Sequence, residues 1–260
     1  MTVARTSRTI AMEQTVNART DALAPGAGGE TGSRSITRTD RGLQPLSPRA
    51  LEDRKLIHRN DSVRTQADAF RGLRTKLLAL GQGRNFVTLV APVQPGCGGS
   101  FVARNLAAAF AFDHSKTALL VDCDALHPTQ HKALGIDIDG GIMDYLDGSI
   151  SDLDAIQYQT GLPRLNLVPS GAPRETTGEH FSSSRMRMMI DSFRGTQSNR
   201  YLILDSPPTL DSPDALILSD LADLIVVVAG YGQVTIDAID DAAANFDPDK
   251  LAGIVFNNIY

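Results

Sequence analysis

Three carboxylates and one hydroxyl stand where apolar runs of this sequence end. Asp122 and Asp124 close Leu119-Leu120-Val121-Asp122-Cys123-Asp124, and Asp205 closes Tyr201-Leu202-Ile203-Leu204-Asp205-Ser206-Pro207-Pro208. Ser100 ends the glycine-rich stretch Ala91-Pro92-Val93-Gln94-Pro95-Gly96-Cys97-Gly98-Gly99-Ser100-Phe101. Glycines at 96 and 98 let backbone N–H groups curl around a phosphate, and the helix expected to follow adds positive potential at its amino end. The Ser100 hydroxyl then has the chemistry of a magnesium ligand, with Asp205 as the opposing carboxylate. Asp122 and Asp124 are candidate catalytic groups. They would hold magnesium through waters or polarise an attacking group, with Asp122 preferred because it lies nearer the strand end. The candidate nucleotide-binding set is Gly96, Cys97, Gly98, Gly99, Ser100 and Phe101, and the candidate metal set is Ser100, Asp122 and Asp205.

Two positions depart from the phosphate-loop pattern G-x-x-x-x-G-K-[ST]: Val93 stands at the first glycine and Gly99 at the lysine. That lysine neutralises β and γ phosphate charge in both ground and transition states. Deleting one partner of a buried charge pair costs about 3–5 kcal/mol, roughly a hundred- to several-thousand-fold in affinity or rate. Arg104, five residues on, is expected to face another side of the helix. With three carboxylates and no lysine, binding of the expected cofactor, Mg-ATP or Mg-ADP, should depend strongly on magnesium and be weakened or lost.

These groups need a scaffold that presents strand ends side by side. The runs 86–91, 118–122, 165–168, 201–205, 224–229 and 253–257 read as strands, and helical patterns separate most of them. Continuous apolar runs joined by helices predict a doubly wound α/β domain, a mostly parallel sheet with helices on both faces, and the glycine-rich turn after the first strand makes it of the P-loop NTPase type. Ligands collect at the carboxyl ends of such strands. Upstream, Ala69, Phe70, Leu73, Leu77, Leu78 and Leu80 give a helix one apolar stripe, closed by Gly81-Gln82-Gly83. Ordered structure is expected to begin near residue 62. Residues 1–55 read as a disordered tail rich in Arg, Ser, Thr and Gly, and residues 56–260 as the nucleotide-binding domain.

The first fifty residues hold seven arginines against four acids, so the formal charge of −5 leaves about −8 on the remainder. An acidic globular part argues against a nucleic-acid-binding face. No apolar run approaches the roughly 18 residues of a membrane helix, and the amino terminus lacks a secretory apolar block, so the expected location is cytoplasmic. Cys97 and Cys123 are too few for a disulfide framework and lack zinc spacing. They fall in two loops expected to face one site, where ordinary small loop residues explain them better than a blocking disulfide. His114, His127 and His131 read as surface or turn residues.

Phe70-Arg71-Gly72-Leu73-Arg74-Thr75, Pro95 to Ser100, Val121 to Asp124 and Leu204 to Pro208 together resemble, in order and spacing, the bacterial tyrosine kinases of polysaccharide export. The resemblance runs from about 62 to 258 and takes in Leu167-Val168-Pro169-Ser170-Gly171, Ser184-Arg185-Met186, Asp214-Ala215-Leu216 and Leu221-Ala222-Asp223. It implies Walker A, A′ and B roles for Gly96, Gly98, Ser100, Asp122, Asp124 and Asp205, and a base-facing role for Asn257. It implies homo-oligomerisation or docking through Asp68, Arg71 and Arg74, with Asp in place of the family's Glu. The implied partner is an inner-membrane polysaccharide chain-length regulator, which would recruit the free cytoplasmic chain. The clustered tail tyrosines are missing, only Tyr260 ending the chain, and Ala125-Leu126-His127 lacks the arginine often found there. The resulting expectation is a regulator of exopolysaccharide or capsule polymerisation and export with impaired phosphotransfer. An active autokinase or ATPase with the lysine role supplied elsewhere, and a cell-positioning or partitioning ATPase, are the alternatives.

Overall fold

The computed structural model describes residues 46–58, 64–175, 177–195 and 199–257, all of them within one compact unit. Seven strands form one sheet: β1 Val87–Pro92, β2 Thr117–Asp122, β3 Tyr158–Gln159, β4 Leu165–Val168, β5 Arg200–Asp205, β6 Leu224–Gly230 and β7 Leu251–Asn257. Their order is β3-β4-β2-β5-β1-β6-β7, and every pairing is parallel except β3 with β4. The expected doubly wound sheet is therefore present. Strands β1, β5 and β6 are buried at every position, as continuous Val/Ile/Leu runs covered on both faces require. The two-residue β3 escapes a reading of the sequence because it is too short to carry periodicity.

Insertion of β5 between β1 and β2 brings the informative strand ends together. Val90 and Asp122 both take register opposite Asp205, so the two carboxylates at 122 and 205 are neighbours across the β2–β5 ladder. Helix α3, Gly99–Ala111, leaves the turn after β1 and packs beneath the sheet with an almost entirely buried surface. Helix α2, Arg64–Leu80, lies against α3 through Phe70, Leu77 and Ala67, with Phe70 edge-on to Phe101 at 6.0 Å. Leu80, expected in the apolar stripe, is instead half exposed at the helix end.

Ahead of the boundary expected at 55 lies one further short helix. Helix α1, Pro48–Asp53, is capped by the Ser47 hydroxyl and begins with proline, the residue whose missing N–H costs nothing at a first turn. Leu51, Leu56 and Ile57 are buried in the common core. Asn105 of α3 accepts from the Ile57 N–H at 2.7 Å and donates to the Lys55 carbonyl at 3.0 Å, tying this segment down. The remainder of the expected tail, residues 1–45, lies outside the described residues, as does Tyr260. Among the described residues, no helix is long and apolar enough to cross a membrane.

Candidate functional site

The turn between β1 and α3 has the backbone that phosphate cradling requires. Gly96 and Gly98 adopt φ of +86° and +83°, a region that residues with a Cβ rarely enter. The Asn257 amide at the end of β7 donates to the Cys97 carbonyl at 3.0 Å, and a Cβ on Gly98 would fall 2.1 Å from that same amide nitrogen. Asn257 thus buttresses the loop from behind.

Gly99 is buried against a proline. A Cβ built there would stand 2.7–2.9 Å from three ring carbons of Pro92, closer than real Cβ contacts come. The ring cannot swing aside as a flexible side chain would, and Pro92 is further held because its carbonyl accepts from Thr209 N–H at 2.8 Å. Positions 92 and 99 are therefore sterically coupled.

A cleft of about 600 Å³ opens at this end of the sheet, floored by Gly96, Gly98, Gly99 and Ser100. Its acidic lining residues are Asp124, Glu175, Asp211 and Asp214, and no Lys or Arg is found among its described lining residues. His127, itself largely exposed, lies near Asp124 with Nδ1 3.9 Å from the carboxylate. Asp124 faces the cleft while its Oδ1 accepts the His127 N–H at 2.9 Å.

Asp122 and Asp205 are fully buried and do not line the cleft. One Asp122 oxygen accepts from the N–H groups of Thr129 at 3.2 Å and Gln130 at 3.0 Å; the other accepts from Asp124 N–H at 3.3 Å. This carboxylate ties down both ends of the 123–130 loop, while Asp124 is the acid of the pair that lines the cleft. Burial first, then the neighbouring Asp205, pushes Asp122 well above the usual carboxylate range. Asp205 is likewise pushed up to about 6, chiefly by burial, with the Gln130 amide and Ser100 hydroxyl pulling it back. Its Oδ2 accepts from Gln130 at 2.6 Å, whereas its Oδ1 has no hydrogen-bond partner.

That orphaned, buried oxygen beside a serine hydroxyl is the feature a magnesium ion suits. No group of three or more His, Cys, Asp or Glu side chains with metal-holding geometry occurs among the described residues. Magnesium needs no such cage, because it commonly keeps several waters and takes only one or two carboxylates.

Sequence reasoning misses Gln130. It is completely buried at the start of the short helix α4, Gln130–Leu134, and bridges the Ser100 carbonyl at 2.9 Å, Asp205 and Arg104. A buried amide eight residues past Asp122 leaves no periodic or spacing signal. Arg104, expected on another face, is 6% exposed and turned into this network, with Asp205 and then Asp122 the charges that raise its pKa against the larger lowering by burial. Cys97 and Cys123 are buried free thiols, and burial first, then the nearby Asp122, pushes the Cys123 thiol well up, so Cys123 is not poised as a thiolate.

The three residues expected to mediate assembly divide. Asp68 and Arg71 pair with each other at 2.7 Å on an exposed turn of α2. Arg74 instead donates to the Ala109 carbonyl at 2.9 Å, capping the last turn of α3 within the same chain.

No family model matches the chain. Its sequence is 31% identical over 198 residues to the tyrosine-protein kinase wzc of Salmonella typhimurium, covering 74% of this chain and 27% of that protein. It is 28% identical over 195 residues to the tyrosine-protein kinase CpsD of Streptococcus agalactiae, covering 73% of this chain and 82% of that one. The chain thus spans about a quarter of the longer relative and most of the shorter. In structure it resembles the kinase domain of the Escherichia coli tyrosine kinase ETK, with a TM-score of 0.71, 20% identity, and coverage of 84% and 88% of the two chains. The septum site-determining protein MinD of Pyrococcus horikoshii, solved with Mg-ADP, shares the fold more distantly, at a TM-score of 0.53, 21% identity, and 66% and 69% coverage. The relatives that match nearly three quarters of this chain are bacterial tyrosine-protein kinases, and the kinase domain of one such enzyme shares its fold.

Proposed function

We propose that the chain is a cytoplasmic regulator of exopolysaccharide or capsule polymerisation and export, using a tyrosine-kinase fold whose phosphotransfer is impaired. The carrying observation is at Gly99: the Pro92 ring fills the space a side chain would need, and no Lys or Arg is among the described residues lining the cleft. Nucleotide phosphates entering that acidic cleft meet backbone N–H groups and a helix amino end, with no lysine or arginine among the described lining residues. Magnesium, when bound, supplies the missing positive charge between the phosphates and the protein. Asp205 Oδ1 and the Ser100 hydroxyl are the groups to hold it, with Asp122 keeping the neighbouring loop in place. Asp124, facing the cleft, is the carboxylate positioned to polarise a group there. The inner-membrane chain-length regulator implied by the family resemblance is the proposed recruiting partner, and the exposed Asp68–Arg71 turn is the proposed docking or self-assembly face.

Calorimetry with Mg-ADP and Mg-ATP tests this. The unaltered chain should bind weakly and only with magnesium. Gly99→Lys alone should gain little, because its Cβ meets Pro92. Pro92→Gly combined with Gly99→Lys should tighten binding by about a hundredfold, the order expected for restoring one partner of a buried charge pair. Tight binding with tyrosine autophosphorylation by the unaltered chain would overturn the impaired-transfer reading. Copurification should recover an inner-membrane chain-length regulator; a septum or chromosome partner in its place would point to a positioning ATPase.

A further inference from the structure

Two carboxylates buried side by side, with no lysine in the cleft above them, require compensation from somewhere. The nearest buried cation is Arg104, one and a half turns along α3 from Gly99. Its Nη1 donates to Gln130 Oε1 at 3.0 Å, and the amide nitrogen of Gln130 donates onward to Asp205 Oδ2 at 2.6 Å and to the Ser100 carbonyl at 2.9 Å. The backbone N–H of the same Gln130 is held by Asp122 at 3.0 Å. Every polar arm of Gln130 is thus engaged in joining the cation to both carboxylates and to the turn that carries Ser100.

We propose that Arg104 and Gln130 form a buried positioning pair that supplies, from beneath the loop, the counter-charge a lysine at 99 would have supplied from the cleft side. The proposal rests on the reading of this site as a magnesium-nucleotide site. Interposing a neutral amide matters. A guanidinium in direct fork contact with Asp205 would occupy both carboxylate oxygens. Through Gln130 only Oδ2 is engaged, and Oδ1 remains without a partner. The relocated cation steadies the carboxylate while leaving one oxygen for a metal, but it is buried away from the cleft and so does not restore phosphate gripping.

The first test needs no nucleotide. In a double-mutant cycle on the full chain, Arg104→Met should lower Tm clearly, and the drop should shrink to less than half in an Asp205→Asn background, because the charge it compensates is gone. Equal drops in both backgrounds would mean that Arg104 only fills space and would overturn the proposal. Should Arg104→Met fail to fold alone, recovery of folding in the double variant supports the pairing, and failure of both overturns it.

The second test separates charge from packing. Removing a nearby cation should tighten binding of free Mn²⁺, used as a magnesium probe, and weaken binding of Mg-ADP, each by roughly fivefold or more. Arg104→Lys should stay near the parent in both. Parallel weakening of both ligands in Arg104→Met would sink the counter-charge role. If the parent binds no Mg-ADP, the nucleotide reading fails, while the stability cycle and Mn²⁺ titration still decide on Arg104.

Discussion

At the scale of single residues, Asp122 is the sharpest case of a carboxylate whose chemistry is local. Its two oxygens take three backbone N–H groups of the 123–130 loop, so truncation leaves those donors buried and unpaired. An unsatisfied buried donor costs about 1–3 kcal/mol. Asp122→Ala should therefore destabilise the chain by about 2–4 kcal/mol in urea unfolding, allowing for partial hydration of the freed loop. Asp122→Asn keeps one acceptor oxygen and relieves repulsion with Asp205, and should cost well under half as much. Equal losses for the two would show that charge, and not loop anchoring, is what Asp122 contributes. The sequence made Asp122, Asp124, Asp205 and Ser100 legible because each follows an apolar run or a glycine-rich turn. It hid the Pro92–Gly99 contact and the Gln130 bridge, since both depend on how β1, β2 and β5 are set beside one another in space and not on any local pattern.

At the scale of elements, the long strands and the two long helices α2 and α3 were readable because burial on both faces, or on one stripe, writes a period into the sequence. The short pieces were not. Helix α1 has six residues and one buried side chain, Leu51, so its order comes from tertiary anchoring and not from its own pattern. Asn105 provides that anchor from the middle of α3, where asparagine has poor helix propensity. Asn105→Leu is predicted to lower stability by about 1–3 kcal/mol, because two backbone groups of residues 55–57 lose their partner. The same variant should open residues 46–58 to limited proteolysis while the sheet stays protected. Unchanged cleavage there would mean that Leu51, Leu56 and Ile57 hold the segment by apolar contact alone. Helix α2 is docked differently: Arg74 caps α3, so Arg74→Ala should reduce stability by about 1.5–3 kcal/mol as a lost charge-assisted hydrogen bond does. Arg71→Ala, exposed and paired only within its own turn, should leave unfolding unchanged and alter only self-association or docking.

At the scale of the whole molecule, the metal-free site sets the direction in which stability changes with pH. Asp205 in the folded chain titrates at about 6 against an ordinary value of 3.8, and Asp122 is displaced in the same direction. Between about pH 4 and 6 the folded state therefore holds protons that the unfolded chain has released, so stability falls as pH rises through that window. For one such carboxylate the loss across the window is roughly 2–3 kcal/mol at most. Asp113, held well below the ordinary range mainly by its bond to Lys116, acts in the opposite sense at lower pH, and His131, held below its ordinary value by burial and then by Lys132, offsets part of the trend below about pH 6.5. Without magnesium, Tm should accordingly be higher at pH 5 than at pH 7.5, contrary to the behaviour of a protein whose carboxylates are all paired. Magnesium should raise Tm mainly at the higher pH, where the carboxylates are ionised and bind it, and so flatten the profile. Asp205→Asn should flatten it as well, and should remove most of the magnesium response. A metal-free chain with the same Tm at pH 5 and 7.5 would show that Arg104 already neutralises the pair fully, and the charge missing at position 99 would then matter to the ligand and not to the fold.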